Sequence, residues 1–424
     1  MTTRIEATRL VPGRGAPVED AVVVLEGPTI LYAGAAAAAP TTREAEVVVV
    51  DTVLPGLWDC HTHLFGTHET TPAHVVAEPI ALRAARATQD LAVALRTGFT
   101  SVREAGGMGV HLAHAVAEGT IPGPRIYAAG AALSITGGHT DLHDLPLAWV
   151  RDLAGWEPSI RVCDGVDDVV RAVREQLRAG AEVIKICASG GVISERNDPD
   201  HQQFTRAELE RIVEVAGMAD RAVMAHCHGT SAMLAAVEAG VRTIEHGTAI
   251  DAEVAAAMIE RDVLLVPTRM IAVELLERSS GMSPAMSAKL AAVSLGAATA
   301  ISNAHAQGVR MALGTDVLLS GTDRPAAWGN QGRELELMAG LGLTPLEVIE
   351  AATANGPDTL GGRAPRSGQL LAGYDADVLA IRGDPTAAIA VLADPTNITH
   401  VWQGGRLVHT GASPTGPASA HATE

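Results

Sequence analysis

The spacing of apolar residues changes twice along the chain. The first fifty residues carry short β-branched and apolar runs, AVVVLEG, ILYAG and EVVVVDT, separated by Gly, Pro and Thr. Such runs predict strands joined by turns. The same texture returns near the end in DADVLAIRG, ITHVWQGG and RLVHTG. Two strand-rich ends around a long middle predict one small β-sandwich domain, residues 1–54 plus 362–411. The middle alternates. Strand candidates VLPGLWDCHTHL, FTSVREAG, RIYAAG, EVIKICASGG, AVMAHCHG, RTIEHGT, VLLVPT and VRMALGTDV are separated by runs with apolar residues three and four apart. Those runs read as helices, and most end in Gly, as a left-handed cap would. The count predicts an α/β fold, a (β/α)8 TIM barrel over residues 55–361. A doubly wound open sheet is the rival, but no Gly-rich dinucleotide turn follows the first strand. The tail, residues 412–424, reads as disordered.

Composition narrows the function. The 424 residues are 47% hydrophobic and 19% charged, which suits a packed core. The net charge of −18 argues against a nucleic-acid partner and against docking on an anionic membrane. The start, MTTRIEATRLV, has no continuous apolar stretch of the signal-peptide kind. No run reaches the roughly 18 uninterrupted apolar residues of a membrane span. Cys60, Cys163, Cys187 and Cys227 form no CxxC pair, so a reduced cytoplasmic setting is expected. A homo-oligomer is expected as well. One bias is specific: of 31 Lys plus Arg residues only Lys185 and Lys289 are lysine. Lys289, in SPAMSAKLAAV, reads as an ordinary helical surface position. Lys185 lies inside the apolar run AEVIKICASGG, where a free ammonium is costly.

In such a barrel the active site lies at the C-terminal ends of the strands. His61 and His63 end the first, Lys185 lies in the fourth, His226 and His228 end the fifth, His246 ends the sixth and Asp316 the eighth. All converge on one centre. Residues i and i+2 of a strand face the same way, so His61 and His63 can share one metal. The same alternation pairs His226 with His228, of which one is needed as a ligand. Lys185, as the neutral amine, can react with carbon dioxide to give a carbamate, an anion that bridges two cations. Pairing with Glu182 or Glu245 is the alternative for a buried lysine. Asp316 can touch a metal and its water and pass a proton on.

These motifs, LPGLWDCHTHL, IKICASGGV, MAHCHG, TIEHGT, LGTD and the closing GYDADVLAIRGDP, resemble the amidohydrolase superfamily over nearly the whole chain. The resemblance is to the branch holding Xaa-Pro dipeptidases and ochratoxin-type amide hydrolases. LSITGGHTD, with His139, and SGGVISERNDPDHQQFT resemble that branch's substrate loops. The resemblance implies that His61, His63 and Asp316 hold one zinc ion, that His226 and His246 hold the other, and that carboxylated Lys185 bridges them. It implies substrate contacts by His228 and His139. GNQGRELELM lacks a histidine the branch carries there, and Glu195-Arg196-Asn197 is more charged than its loop usually is, which bears on specificity.

The expected reaction is hydrolysis of the amide bond of a small N-acyl amino acid or dipeptide by two divalent ions, with Asp316 as proton shuttle. Arg196, Arg269 and Arg324 are candidate clamps for a substrate carboxylate. Trp149, Trp156 and Trp328 are candidates to lie over the site. Hydrolysis of a carbamate, urea or ester on the same metals is the alternative. A mononuclear deaminase or a non-catalytic scaffold is disfavoured by Lys185 and by the complete ligand set.

Overall fold

The computed structural model describes residues 2–194, 196–278 and 282–411. Glu195 and the tail 412–424 lie outside them. Seventeen strands are present among the described residues: β1 (Thr2–Leu10), β2 (Val18–Glu26), β3 (Thr29–Ala35), β4 (Glu46–Pro55), β5 (Leu57–Thr67), β6 (Phe99–Glu104), β7 (Arg125–Ala128), β8 (Ala132–Ser134), β9 (Ile160–Val162), β10 (Val183–Cys187), β11 (Ala222–Cys227), β12 (Thr243–His246), β13 (Leu264–Val266), β14 (Val317–Leu319), β15 (Val378–Ile381), β16 (Ile398–Gln403) and β17 (Arg406–Thr410).

The chain ends do build one unit together. Its seven strands hydrogen-bond in the order β17-β16-β15-β4-β1-β2-β3. This is one continuous sheet, where the run pattern led us to expect a sandwich. The ten-residue β4 explains the difference, because it pairs with β1 on one side and β15 on the other. Strand alternation gives β1 a buried face through Ile5 and Ala7, packed with Val23, Leu25 and Val378. Leu54, Leu379 and Ile398 join the larger core of the rest of the molecule instead.

The middle of the chain forms two arcs, β14-β5-β6-β7 and β13-β12-β11-β10-β8-β9, with parallel pairing throughout. Helices cross between successive strands, as parallel connections require. The arcs are linked at both edges. Glu182 N donates to Ala128 O at 2.8 Å, joining the end of β7 to the start of β10. Leu265 N bonds Arg310 O, Ala312 N bonds Leu265 O, and Cys60 N bonds Leu313 O, so residues 310–313 lie between β13 and β5. That segment was expected as a full eighth strand. It forms only the bridge Leu265–Met311, and the pairing with β5 continues as β14 from Val317.

Two expected long helices are broken. Pro79 separates Pro72–Ala77 from Ile80–Arg96, since it has no N–H to continue the ladder. Gly296, at φ +82°, separates Pro284–Ser294 from Ala297–Ala306. The span Pro284–Ala306 is apolar enough to cross a membrane by length and composition. Its two pieces, of 11 and 10 residues, each fall short of the roughly 20 that a spanning helix needs.

Candidate functional site

Strand β5 carries a period-two polar stripe, Asp59-x-His61-x-His63. The stripe turns both imidazoles toward a cavity of about 390 Å³. Lys185, His226, His228, His246, Asp316 and His139 line the same cavity, so every residue expected as a metal ligand, proton shuttle or histidine substrate contact lies on its wall. Two overlapping groups have the spacing of metal ligands. The ligand atoms of His226, His228 and His246 lie within 4.8 Å of one another, and so do those of His61, His246 and Asp316. His63 Nε2 is 3.2 Å from Asp316 Oδ1 and joins the second group. His246 belongs to both, so the two groups share a wall.

Backbone geometry aims several of these groups. His246 and Asp316 have φ of +70° and +60°, and Thr268 has +45°. Left-handed backbone is disfavoured for residues with a Cβ and gathers at functional sites. His246 would otherwise share the face opposite Thr243 and Glu245; the reversal brings its ring to the cavity. Thr268 Oγ1 then meets His246 Nδ1 at 2.6 Å.

The second ring nitrogen of each histidine is held from behind. His61 Nδ1 donates to Glu245 Oε2 at 2.7 Å, His63 Nδ1 to Gly106 O at 2.8 Å and His226 Nε2 to Gly190 O at 3.0 Å. Carboxylate and carbonyl oxygens only accept, so these contacts place the proton on the outer nitrogen. The lone pairs of His61 Nε2, His63 Nε2 and His226 Nδ1 are left for the cavity. That is how metal-binding histidines are oriented. His228 Nδ1 instead meets the hydroxyl of Thr248 at 2.9 Å, which can donate or accept, so its tautomer is not fixed. The sequence offered no such distinction between His226 and His228.

The site's electrostatics favour neutral rings. Burial, with Lys185 adding to it, lowers His61 to about 4. Burial lowers His228 to about 4, and burial with His228 and Lys185 lowers His139 to about 3. His226 and His246 go well below the ordinary value for burial first, then their histidine neighbours. Neutral imidazole is the form that binds metal. Burial pushes the Asp316 carboxyl up, but His61, His63 and Lys185 more than offset it, so it is lowered.

Lys185 is buried and has no hydrogen-bond or ion-pair partner among the described residues. The carboxylates weighed as partners are engaged elsewhere. Glu182 meets Arg221 and Arg363, and Glu245 meets Arg103 and His61. A buried ammonium that no side chain contacts directly is costly, so this position favours the neutral amine or a bound anion. The chemistry of the donor set, several imidazoles, a carboxylate and an unpaired amine, fits divalent transition ions.

Other expectations sort by position. Arg269 lines the cavity, with no hydrogen bond or ion pair from its guanidinium among the described residues; burial, only partly offset by Glu334, lowers its pKa. Arg196 is exposed, and Arg324 does not line the cavity. Trp149 and Trp156 are outer-surface residues, 62% and 58% exposed. Trp328 is buried beneath the site and donates to His63 O at 3.1 Å. Lys289 is not an ordinary surface lysine: its Nζ donates to Ser194 O at 2.6 Å and to Asn197 O. The sequence reading missed the supports Asp59 and Arg103. Asp59 Oδ1 accepts from the N–H groups of His61 and Thr315. The DxHxH stripe was a signal for it. Nothing local marked Arg103.

Residues 52–408 match the amidohydrolase family. The chain is 40% identical over 425 residues to ochratoxinase of Aspergillus niger, covering 96% of this chain and 86% of that relative. The crystal structure of A. niger ochratoxinase superposes with a TM-score of 0.89 at 39% identity, over 97% of this chain and 96% of that one. A prolidase crystallised with N-methylphosphonate-L-proline is similar at TM-score 0.87 and 33% identity, over 97% of this chain and 100% of that one. A Xaa-Pro dipeptidase with methionine bound in its active site is similar at TM-score 0.83 and 30% identity, with the same coverage.

Proposed function

The chain belongs to the amidohydrolase family and is a hydrolase of amide bonds, and from that premise we propose that it cleaves small N-acyl amino acids or dipeptides at a centre of two divalent ions. The observation that carries the reading is Lys185, buried without a hydrogen-bond or ion-pair partner among the described residues, in the cavity that both ligand groups line. As the carbamate formed with carbon dioxide it would supply the missing negative charge and bridge the ions. His61, His63 and Asp316 would hold one ion. His226 and His246 would hold the other, with the fixed tautomer of His226 favouring it over His228. Imidazole and carboxylate donors suit zinc. When bound, the ions supply the Lewis acidity that activates water and polarises an amide carbonyl.

The protein's own groups do the rest. Asp316, lowered in pKa and within reach of the cavity, takes a proton from the attacking water and delivers it to the leaving nitrogen. His228 and His139 offer hydrogen bonds to the oxygen that gains charge. Arg269 clamps a substrate carboxylate, since it is the one candidate arginine that lines the cavity. The two linked parallel arcs are read as a (β/α)8 barrel over residues 55–361, and the seven-stranded sheet as a separate unit of residues 1–54 and 362–411.

Elemental analysis of wild type and Lys185→Ala, run side by side, tests the proposal. About two zinc-like ions per wild-type chain, falling in the variant together with amidase activity, is the expected result. A folded, metal-supplied Lys185→Ala protein with full activity overturns it.

A further inference from the structure

A second histidine of the loop after β8, four residues beyond His139, reaches the cavity. His143 lines it, and His143 Nε2 is buried with no hydrogen-bond partner among the described residues. A buried imidazole nitrogen without a partner is uncommon and calls for an explanation. Its other nitrogen is engaged. His143 Nδ1 lies 3.3 Å from Ser194 Oγ.

The direction of that bond follows from its neighbours. Asn197 Oδ1 accepts from Gly191 N at 2.8 Å, which fixes the orientation of the Asn197 amide. Asn197 Nδ2 therefore faces Ser194 Oγ and donates to it at 2.6 Å. The serine hydroxyl, already an acceptor, has its proton to give, and His143 Nδ1 is the acceptor found for it. A neutral imidazole that accepts at Nδ1 carries its proton on Nε2. Nε2–H is then a buried donor without an acceptor among the described residues, on a residue that lines the cavity.

Ser194 and Asn197 are themselves held. Lys289 Nζ, on the helix Pro284–Ser294, donates to the carbonyl oxygens of Ser194 and Asn197. Two carbonyls converging on a point suit a compact ammonium better than a planar guanidinium. That accounts for a lysine here in a chain that otherwise uses arginine.

Strand order says what His143 faces. Arg269 follows β13 and His143 follows β8, and β12, β11 and β10 stand between those strands in the sheet. The two residues come from well-separated strands of one arc. The geometry points to a substrate-binding role for His143: its Nε2–H donates to an oxygen acceptor on the acyl half of the substrate, and Lys289 positions it by holding Ser194 and Asn197. This rests on the N-acyl amino acid reading, with the carboxylate held at Arg269.

The test compares isosteric probes, N-methoxyacetyl- and N-(3-methoxypropanoyl)-L-phenylalanine against the alkyl acyl groups of the same length. Wild type should show a KM about tenfold lower for at least one ether, since one hydrogen bond is at stake. His143→Ala and Lys289→Met should each abolish that preference, with metal content unchanged. The double variant should do no more than His143→Ala alone. A preference that survives His143→Ala, or is absent from wild type, overturns the assignment. Nitrogen-15 spectra of histidine-labelled protein, with His143 assigned by its loss in His143→Ala, decide independently of substrate. A protonated Nε2 is expected, and a protonated Nδ1 overturns the inference. Wild type that cleaves none of the probes would defeat the substrate reading, while the spectra would still judge the tautomer.

Discussion

Glu245 Oε2 lies 2.7 Å from His61 Nδ1, and Arg103 grips the same carboxylate from behind at 2.8 and 2.9 Å. Burial pushes this carboxyl up, but Arg103 and His61 outweigh it and hold it at about 2. Glu245 is therefore an anion at any working pH, and it keeps the His61 proton on Nδ1. Glu245→Gln should weaken metal binding or activity by about 10–100-fold, the usual effect of removing such a support. Competition with a chelator measures it. An unchanged metal affinity and unchanged kcat would mean that His61 is oriented by packing alone.

Arg269 carries the specificity for a free carboxylate. Its guanidinium faces the cavity without a hydrogen bond or ion pair among the described residues. Arg269→Met should raise KM for N-acyl amino acids by roughly 10–100-fold, matching a charge-assisted hydrogen bond. The corresponding amino acid amides should be almost unaffected. Equal losses on both substrate types would place the carboxylate site elsewhere.

Much of this site was legible because strands repeat every two residues. The HxH pairs and the position of Lys185 could be read from that period and from the scarcity of lysine. The parts that escaped depend on backbone reversals or on contacts distant in sequence. His246 reaches the cavity only through a φ of +70°, against the alternation of its own strand. Asp316 follows a segment that is one bridge rather than a strand, yet its N–H still bonds His61 O at 2.8 Å and fixes it beside the first histidine pair. Lys289 was misread because helical spacing reports a face and not the loop that happens to lie on it. Arg103 looked like one arginine among many, since its partner Glu245 is 142 positions away.

A second buried ion pair supports the rim. Arg83 and Glu157 have side chains 1% and 0% exposed and meet at 2.6 Å. Arg83 Nε also donates to the carbonyl of Phe65, whose ring stacks on His63 with centroids 4.8 Å apart. Arg83→Met leaves Glu157 charged and buried, and should cost about 3–5 kcal/mol of stability. The double variant Arg83→Met/Glu157→Leu should recover much of it, because no lone charge remains. Denaturant titration of the three proteins distinguishes this from simple loss of packing, in which case the double variant would be the least stable.

Glu334 gives the stability a dependence on pH between the acidic and neutral ranges. Both its oxygens accept backbone N–H groups, from Arg269 at 2.9 Å and Met270 at 2.6 Å, at the start of the helix that carries Arg269. Burial nevertheless outweighs these bonds and raises its pKa to about 8, from 4.5 for the free group. Between those values the folded protein holds a proton that the unfolded chain has released. Stability from this group is therefore greatest below about 4.5, falls as pH rises to about 8, and is level above that. Glu334→Gln cannot ionise, so its Tm should decline less steeply than that of wild type across this window. Parallel slopes for the two proteins would mean that the backbone N–H groups and Arg269 keep Glu334 ionised throughout.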